Sequence, residues 1–139
     1  MSWDISVQRF RKEYHCLADI PNDEECVPLG SSAEVRAAID RYFPAIDWSD
    51  PGWGRLDADF GSVEFNMGNA EPNCGFMMHI RASGEVVPMI VAMSLSERWQ
   101  ALDPNAGTFL EKSAQPVAGL EDWAAYRAQV VGRRKGLSD

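Results

Sequence analysis

The chain has 139 residues, a net charge of −8 and a hydrophobic fraction of 45%. This length allows one domain to bury its own core, and the apolar fraction excludes a disordered chain. No apolar run approaches the roughly 20 residues of a membrane-spanning helix, and the start Met1-Ser2-Trp3-Asp4 lacks the features of a signal peptide. We therefore expect one cytoplasmic domain over residues 1–139, in which residues 132–139 form a basic tail.

The charge is unevenly distributed along the chain. Residues 13–71 contain 13 acidic and 3 basic residues, which gives −10, whereas the remainder contains 8 acidic and 10 basic residues, which gives +2. A negative field of this kind disfavours binding to nucleic acid and to anionic membranes, and it favours encounters with basic protein surfaces. Solubility alone is the other explanation.

The first third of the chain predicts a strand, a loop and a helix. Apolar and polar residues alternate over residues 2–9, which predicts a strand at an edge of the sheet or beside its centre. Residues 15–30 lack periodicity and contain two prolines, which favours a loop. Ser31 and Glu34 form a capping-box pattern at the start of a helix, and Pro44 ends that helix.

The three cysteines, Cys16, Cys26 and Cys74, predict reduced thiols, since their number is odd and no signal peptide precedes them. A bridge between Cys16 and Cys26 requires an oxidising compartment. Together with His15 they match no zinc spacing, and we expect neither a metal nor a cofactor.

Residues 47–54 contain Pro51 and Gly52 between aspartates, which predicts a turn. Two tryptophans flank the turn. Trp53 stands where a strand begins, and we expect it in the core. Trp48 either folds back over the seam between helix and sheet or anchors a partner, because tryptophan is enriched in binding hot spots.

Residues 54–82 predict three consecutive antiparallel strands, around which the rest of the chain is organised. Apolar residues recur at every second position in three runs: Leu56, Ala58 and Phe60; Val63, Phe65 and Met67; and Phe76, Met78 and Ile80. A turn at residues 59–62 places Ala58 opposite Val63 and Asp57 opposite Glu64. Symmetric closure of the loop at residues 68–75 places Glu64 opposite His79.

Three further elements follow the strands. A Met-rich, largely buried helix is predicted over residues 85–99, a short edge strand or hairpin over 100–111, and a last helix over 120–131. The fold class is therefore α+β, with an antiparallel sheet of about four to five strands and helices packed on one face.

The side of the sheet away from the helices is predicted to carry Asp57, Glu64 and His79 in one row. Two opposed carboxylates repel each other, so a compensating charge is required. Either Arg55, Arg81 and a protonated His79 interleave with the carboxylates, or a cationic partner supplies the charge on docking.

The sequence contains no phosphate-binding glycine loop, nucleophile elbow or redox cysteine pair. Asp57, Glu64, His79 and Arg81 are the one acid–base group that the predicted sheet brings together. On an open sheet face they lack the water-poor concave setting that supports catalysis, so we expect a protein that is not an enzyme.

Several stretches resemble those of small bacterial proteins of no known activity, over almost the whole chain: Trp3–Phe10, Phe43-Pro44, Asp50–Gly54, Glu64–Asn66 and His79–Arg81. This resemblance implies no functional residues. In size, acidity and layout the chain is also similar to immunity proteins of interbacterial toxin systems, a likeness that implies neutralisation of a cognate toxin.

We therefore expect a cytoplasmic protein-binding domain with an acidic surface for a toxin or another basic protein, and no nucleic-acid or membrane partner. The alternative is a small enzyme or ligand-binding accessory protein that uses Glu64, His79 and Arg81 or the Met-rich helix. The sequence leaves the oligomeric state open. The residues expected to bind the partner are Asp47, Trp48, Asp50, Asp57, Asp59, Glu64, His79 and Arg81.

Overall fold

A computed structural model describes residues 2–137, and for residues 131–137 it describes the backbone alone. Within these residues, seven strands form one antiparallel sheet in the order β2-β3-β4-β5-β1-β6-β7, accompanied by three α-helices and two 3-10 turns. The α+β class is confirmed, but the predicted four to five strands are too few. The elements are β1 (Trp3–Gln8), a 3-10 turn (Leu17–Asp19), α1 (Ser32–Tyr42), β2 (Asp47–Asp50), β3 (Trp53–Ala58), β4 (Gly61–Asn66), β5 (Phe76–Ala82), α2 (Val86–Glu97), β6 (Gln100–Asp103), β7 (Thr108–Phe109), a 3-10 turn (Leu110–Lys112) and α3 (Ala118–Leu137).

The core lies between the sheet and the helices. Trp3, Ile5 and Val7 point inward from β1, and the predicted inward residues of β4 and β5 are buried with them. Helix α1 begins with the predicted capping box, in which Ser31 and Glu34 bond reciprocally. Its buried residues and those of α2 join the inward side chains of the sheet in a single apolar cluster.

Helices α2 and α3 differ in part from the prediction. Helix α2 was predicted to be largely buried, but its Leu95 is 62% exposed. The last helix extends over Ala118–Leu137 instead of residues 120–131, so most of the expected tail at 132–139 continues the helical backbone. The side chains of the basic run Arg133-Arg134-Lys135 lie outside the described residues. No helix within residues 2–137 is both long and apolar enough to cross a membrane.

The two sides of the sheet are covered differently. Near β6 and β7, the segment that follows β1 folds over the surface away from α1 and α2: the rings of Phe10 and Phe109 meet edge to face, and Phe10 pairs with Cys26. Leu102 and Phe109 are buried there. The strands β2 to β5 keep exposed and half-buried polar side chains on this surface.

The register between β3 and β4 differs from the prediction by two residues. Leu56 lies opposite Val63, and Glu64 lies opposite Arg55 instead of Asp57. The cause is the turn, which consists of Asp59 and Phe60 alone and is closed by the pair Ala58 and Gly61. A shift of two residues keeps the inward set inward. The predicted pairing of Glu64 with His79 is confirmed.

The two tryptophans lie on opposite sides of the sheet, and Trp48 takes the first of its two predicted places, over the seam between helix and sheet. Trp48 packs on the core side, with its ring centroid 6.1 Å from that of Phe65, and its Nε1 donates to Asp40 at 2.9 Å. Trp53 points to the opposite side of the sheet, so its predicted place in the core is wrong. Gly54 provides the space for Trp48, because a Cβ there would lie 2.5 Å from ring atom Cζ3.

We expect Gly54→Ala to lower the free energy of unfolding by about 1–3 kcal/mol, since the added methyl group must displace the Trp48 ring from a packed position. Urea denaturation measures the effect. Gly52→Ala is the matched control, because its Cβ would meet one atom at 3.5 Å, Oδ1 of Asp50. Equal stability of the two variants would contradict this account of Gly54.

Glu111 links the second 3-10 turn to β6. Its Oε2 accepts from the backbone N of Ala101 at 3.1 Å, whereas its Oε1 is buried and has no hydrogen-bond partner within the described residues. Burial raises the pKa of this carboxyl above its ordinary value of 4.5, and Glu13 adds to the rise. Hydrogen bonds to backbone N–H groups and the charge of Lys112 oppose the shift.

The raised pKa of Glu111 predicts a specific pH dependence. The folded protein holds the proton of Glu111 more tightly than the unfolded chain does. The contribution of this proton to the free energy of unfolding is therefore complete below pH 4.5, and it is lost as the pH rises through the pKa of Glu111 in the folded protein. Glu111→Gln should therefore be stabilised relative to the wild type at pH 7, with the difference shrinking toward pH 4.5. Denaturant titrations across this range provide the test, with the exposed Glu25→Gln as control. A constant difference at all pH values would contradict the prediction.

Candidate functional site

The outer face is the surface of β1 to β5 that points away from α1 and α2. A cross-strand row runs through it over five strands, because Asp47 pairs with Arg55, Arg55 with Glu64, Glu64 with His79, and His79 with Asp4. Acidic and basic or titratable groups therefore alternate along the row. Opposite charges on neighbouring strands attract, so the row supports the register of the sheet.

Glu64 is the centre of the row. Its Oε1 lies 3.7 Å from Arg55 Nε, and its Oε2 lies 3.8 Å from Arg81 Nη1. The Glu64 side chain is 24% exposed, whereas that of Arg55 is 68% exposed. The arginines thus interleave with the carboxylate, as the first of the two sequence-based alternatives expected, and each such pair is worth about 0–1 kcal/mol at a surface.

His79 is held from two sides. Its Nδ1 lies 2.8 Å from Oδ1 of Asp4, and the Trp53 ring stacks on the imidazole with a centroid distance of 5.6 Å and an angle of 19°. The side chain of His79 is 22% exposed. The stack and the carboxylate fix the orientation of the imidazole within an otherwise open surface.

Two shorter rows border the central one. Asp57 pairs with Ser62, which pairs with Arg81. On the other side of the central row, Asp50, Trp53, Asn66 and Met77 follow each other across four strands. The Trp53 ring is therefore surrounded by polar side chains, and it presents the largest apolar group of the outer face.

Negative charge accumulates at the β2 end of the sheet, in a group that we call the acidic edge. Its members are all exposed: Asp40, Asp47, Asp50, Asp57 and Asp59. Hydrogen bonds from the hydroxyl and the backbone N of Ser49 lower the pKa of Asp47, so this carboxyl is charged at neutral pH. Asp50 accepts from the backbone N of Gly52 at 2.9 Å and shapes the turn between β2 and β3.

The structure brings together most, but not all, of the expected partner-binding residues. Asp47, Asp50, Asp57, Glu64, His79 and Arg81 lie on the outer face, and Asp59 lies in the adjoining turn. Trp48 lies on the opposite side of the sheet. Asp57 belongs to the neighbouring row instead of the row of Glu64 and His79.

Sequence reasoning missed two members of the outer face, Asp4 and Trp53, and it placed Arg55 two residues out of register. Asp4 follows the inward Trp3, and Trp53 is three positions before the inward Leu56, so the same alternation that oriented Glu64 predicts both of them outward. Arg55 opposite Glu64 was detectable from charge, because that pairing removes the repulsion that the predicted register created.

No metal site or disulfide is evident on this surface. Among the described residues, no group of three His, Cys, Asp or Glu side chains is close enough to hold a metal ion, and the three cysteines are free thiols.

No family model, no curated protein and no solved structure matches the chain.

Proposed function

We propose that this protein binds a partner protein through its acidic edge and the adjoining outer face, and that the partner is a bacterial toxin which it neutralises in the cytoplasm. The observation that carries the proposal is the concentration of exposed aspartates at one edge of the sheet, next to an outward tryptophan. The proposed role is binding without catalysis.

The charge balance of the surface supports a basic partner. Five carboxylates and two guanidinium groups lie in the three rows of the outer face, and Asp40 and Asp59 add further negative charge beside them. Asp57 and Asp59 have no side-chain partner within residues 2–130, so their charges are available to a docking surface. Complementary charge of this kind accelerates association and selects the partner.

Trp53 supplies an apolar anchor beside these charges. Its ring is half-buried, it lies flat on His79, and polar groups of neighbouring strands surround it. Hot spots of protein interfaces are enriched in tryptophan that is enclosed by polar contacts. Trp53 thus replaces Trp48 as the expected aromatic contact.

The hydrogen-bonded pair of His79 and Asp4 supports a second possible function on the same face, which is catalysis or the binding of a small ligand. A carboxylate on Nδ1 orients an imidazole for proton transfer at Nε2. Glu64 is engaged by Arg55 and Arg81, which favours a structural role for that carboxylate. The Met-rich helix α2 gives this alternative less support, since Met93 is fully buried in the core.

Charge reversal tests the acidic edge. The partner is first recovered from the native cells on a tagged copy of the protein and purified. The double variant Asp57→Lys and Asp59→Lys should then reduce the association rate constant about tenfold at about 0.02 M salt and much less at about 0.3 M salt, where screening shortens the range of the field. Stopped-flow fluorescence or surface plasmon resonance measures the rates.

Asp23→Lys is the control, because Asp23 is equally exposed but lies in the loop after β1. Equal slowing by this control, or a slowing of the double variant relative to wild type that is the same at both salt concentrations, would contradict docking at the acidic edge. The toxin step has its own test: the partner expressed alone should stop growth, and co-expression of this protein should restore it. Growth with the partner alone would exclude a toxin.

The two tryptophans give a matched pair for the apolar anchor. Trp53→Ala should raise the partner's Kd about 30-fold or more, as for a hot spot of 2 kcal/mol or above, while lowering the free energy of unfolding by about 1 kcal/mol or less. Trp48→Ala should do the opposite. It should lower the free energy of unfolding by about 2 kcal/mol or more, because the contact with Phe65 is lost, and it should leave Kd nearly unchanged. Isothermal titration and urea denaturation separate the two effects, and a hot spot at Trp48 would refute the assignment.

A further inference from the structure

A cavity of about 880 Å³ lies away from the outer face, at the end of the sheet where β1 leaves it. Its walls are the last turn of α2, the start of β6, the segment that follows β1 and the second 3-10 turn. This volume falls within the range of about 300–1,000 Å³ that is typical of small-molecule sites. We call it the basic cavity, because five of the residues that line it are basic.

The basic cavity opposes the charge of the whole chain. Five basic residues and two acidic residues line it, in a protein with a net charge of −8. Three of the basic groups are engaged: Arg9 donates to the carbonyl oxygens of Glu97 and Arg98, Arg11 pairs with Glu25 at 3.5 Å, and Lys112 pairs with Glu13 at 3.3 Å.

Two cations of the cavity are available to a ligand. Within residues 2–130, the side chains of Lys12 and Arg98 have neither an ion pair nor a hydrogen bond. Both residues are exposed, and Arg98 stands at the end of α2 with a positive φ of 59° that turns the chain into β6. An anionic group placed between them would gain charge-assisted hydrogen bonds without displacing an existing partner.

The remaining wall is apolar, and two of the residues that line it contain a buried polar atom without a partner in the described part of the chain. Phe10, Leu95 and Trp99 contribute the apolar surface, and Leu95 is exposed. Trp99 is 3% exposed, and neither its Nε1 nor Oε1 of Glu111 has a hydrogen-bond partner within the described residues. Buried polar atoms of this kind normally have a partner, which a ligand with its own polar group would supply.

Gln100 holds the cavity in shape. Its Oε1 accepts from the backbone N of Phe10 at 2.6 Å, and its Nε2 donates to the carbonyl oxygen of Lys12 at 3.2 Å. The Gln100 side chain is nearly fully buried, so the segment carrying Phe10 and Lys12 is fixed against β6. A wall fixed in this way loses little conformational entropy when a ligand binds.

We propose that the basic cavity binds a small organic anion, with its acidic group on Lys12 and Arg98, its apolar body against Phe10, Leu95 and Trp99, and a hydrogen-bonding group near Glu111. The negative field of the rest of the protein disfavours a polyanion such as nucleic acid, whose charges would extend beyond the cavity. This site is independent of the partner surface proposed above.

Two fluorescent probes of nearly the same shape test the proposal. One is 8-anilinonaphthalene-1-sulfonate, which combines a sulfonate, an aromatic body and an N–H donor, and the other is N-phenyl-1-naphthylamine, which lacks the sulfonate. The wild type should bind the sulfonate probe saturably at one site and the uncharged probe about tenfold more weakly or worse. Lys12→Gln and Arg98→Gln should each weaken the sulfonate probe about fivefold to tenfold, whereas the exposed cation variant Arg55→Gln on the outer face should not.

A measurement on the unaltered protein locates the probe. In ¹⁵N-labelled wild type, the sulfonate probe should shift the indole N–H signal of Trp99 and leave those of Trp48 and Trp53 in place. Three results would each overturn the proposal: equal affinity of the wild type for the two probes, an equal loss of affinity for the sulfonate probe in Arg55→Gln, or shifts confined to the indole N–H signals of the other tryptophans. Lys12 is exposed, and its side chain makes no hydrogen bond or ion pair within residues 2–130, so Lys12→Gln should leave the fold intact.

Discussion

The position of β1 in the interior of the sheet is the constraint on which the rest of the structure depends. This strand pairs with β5 through Asp4 and His79 and with β6 through Ser6 and Leu102, and it thereby joins the meander β2 to β5 to the hairpin β6 and β7. Trp3, Ile5 and Val7 are almost fully buried on its inner side. Its outer side contributes Asp4, which orients His79. Local contacts build the meander, whereas β1 pairs residues that are 69 to 96 positions apart, and non-local contacts of this kind slow folding.

Alternation of side chains was predictable, whereas register was not. The period of two placed Glu64 and His79 outward because an error of one residue would have exposed the whole core. An error of two costs nothing in this pattern, so the register of β3 depended on the turn, and the turn at Asp59 and Phe60 is two residues shorter than assumed. The charges contained the missing signal: the predicted register opposed Asp57 to Glu64, whereas the observed one opposes Arg55 to Glu64. Strand β2 escaped prediction because aspartate and serine are poor strand formers and Pro51 follows directly.

The candidate sites differ in how far the sequence could predict them. The outer face could be predicted from the period of two, since the direction of each side chain follows from its neighbours in the same strand. The basic cavity could not be predicted from the sequence, because Lys12, Arg98 and Glu111 come from three separate segments that no local pattern brings together. Its charge was nevertheless present in the composition: Arg9, Arg98 and Lys112 belong to the part of the chain outside residues 13–71, whose net charge is +2.

The geometry of the edge strand limits how a partner can dock at the acidic edge. Strand β2 is four residues long, its register to β3 shifts between Asp47 and Asp50, and its side chains include two exposed aspartates. Short, irregular and charged edges resist the addition of another strand. A partner is therefore expected to recognise the carboxylates of the edge and the ring of Trp53 instead of extending the sheet through backbone hydrogen bonds. Recognition through side-chain charge makes the association rate depend on ionic strength, whereas strand addition would depend mainly on the exposed backbone.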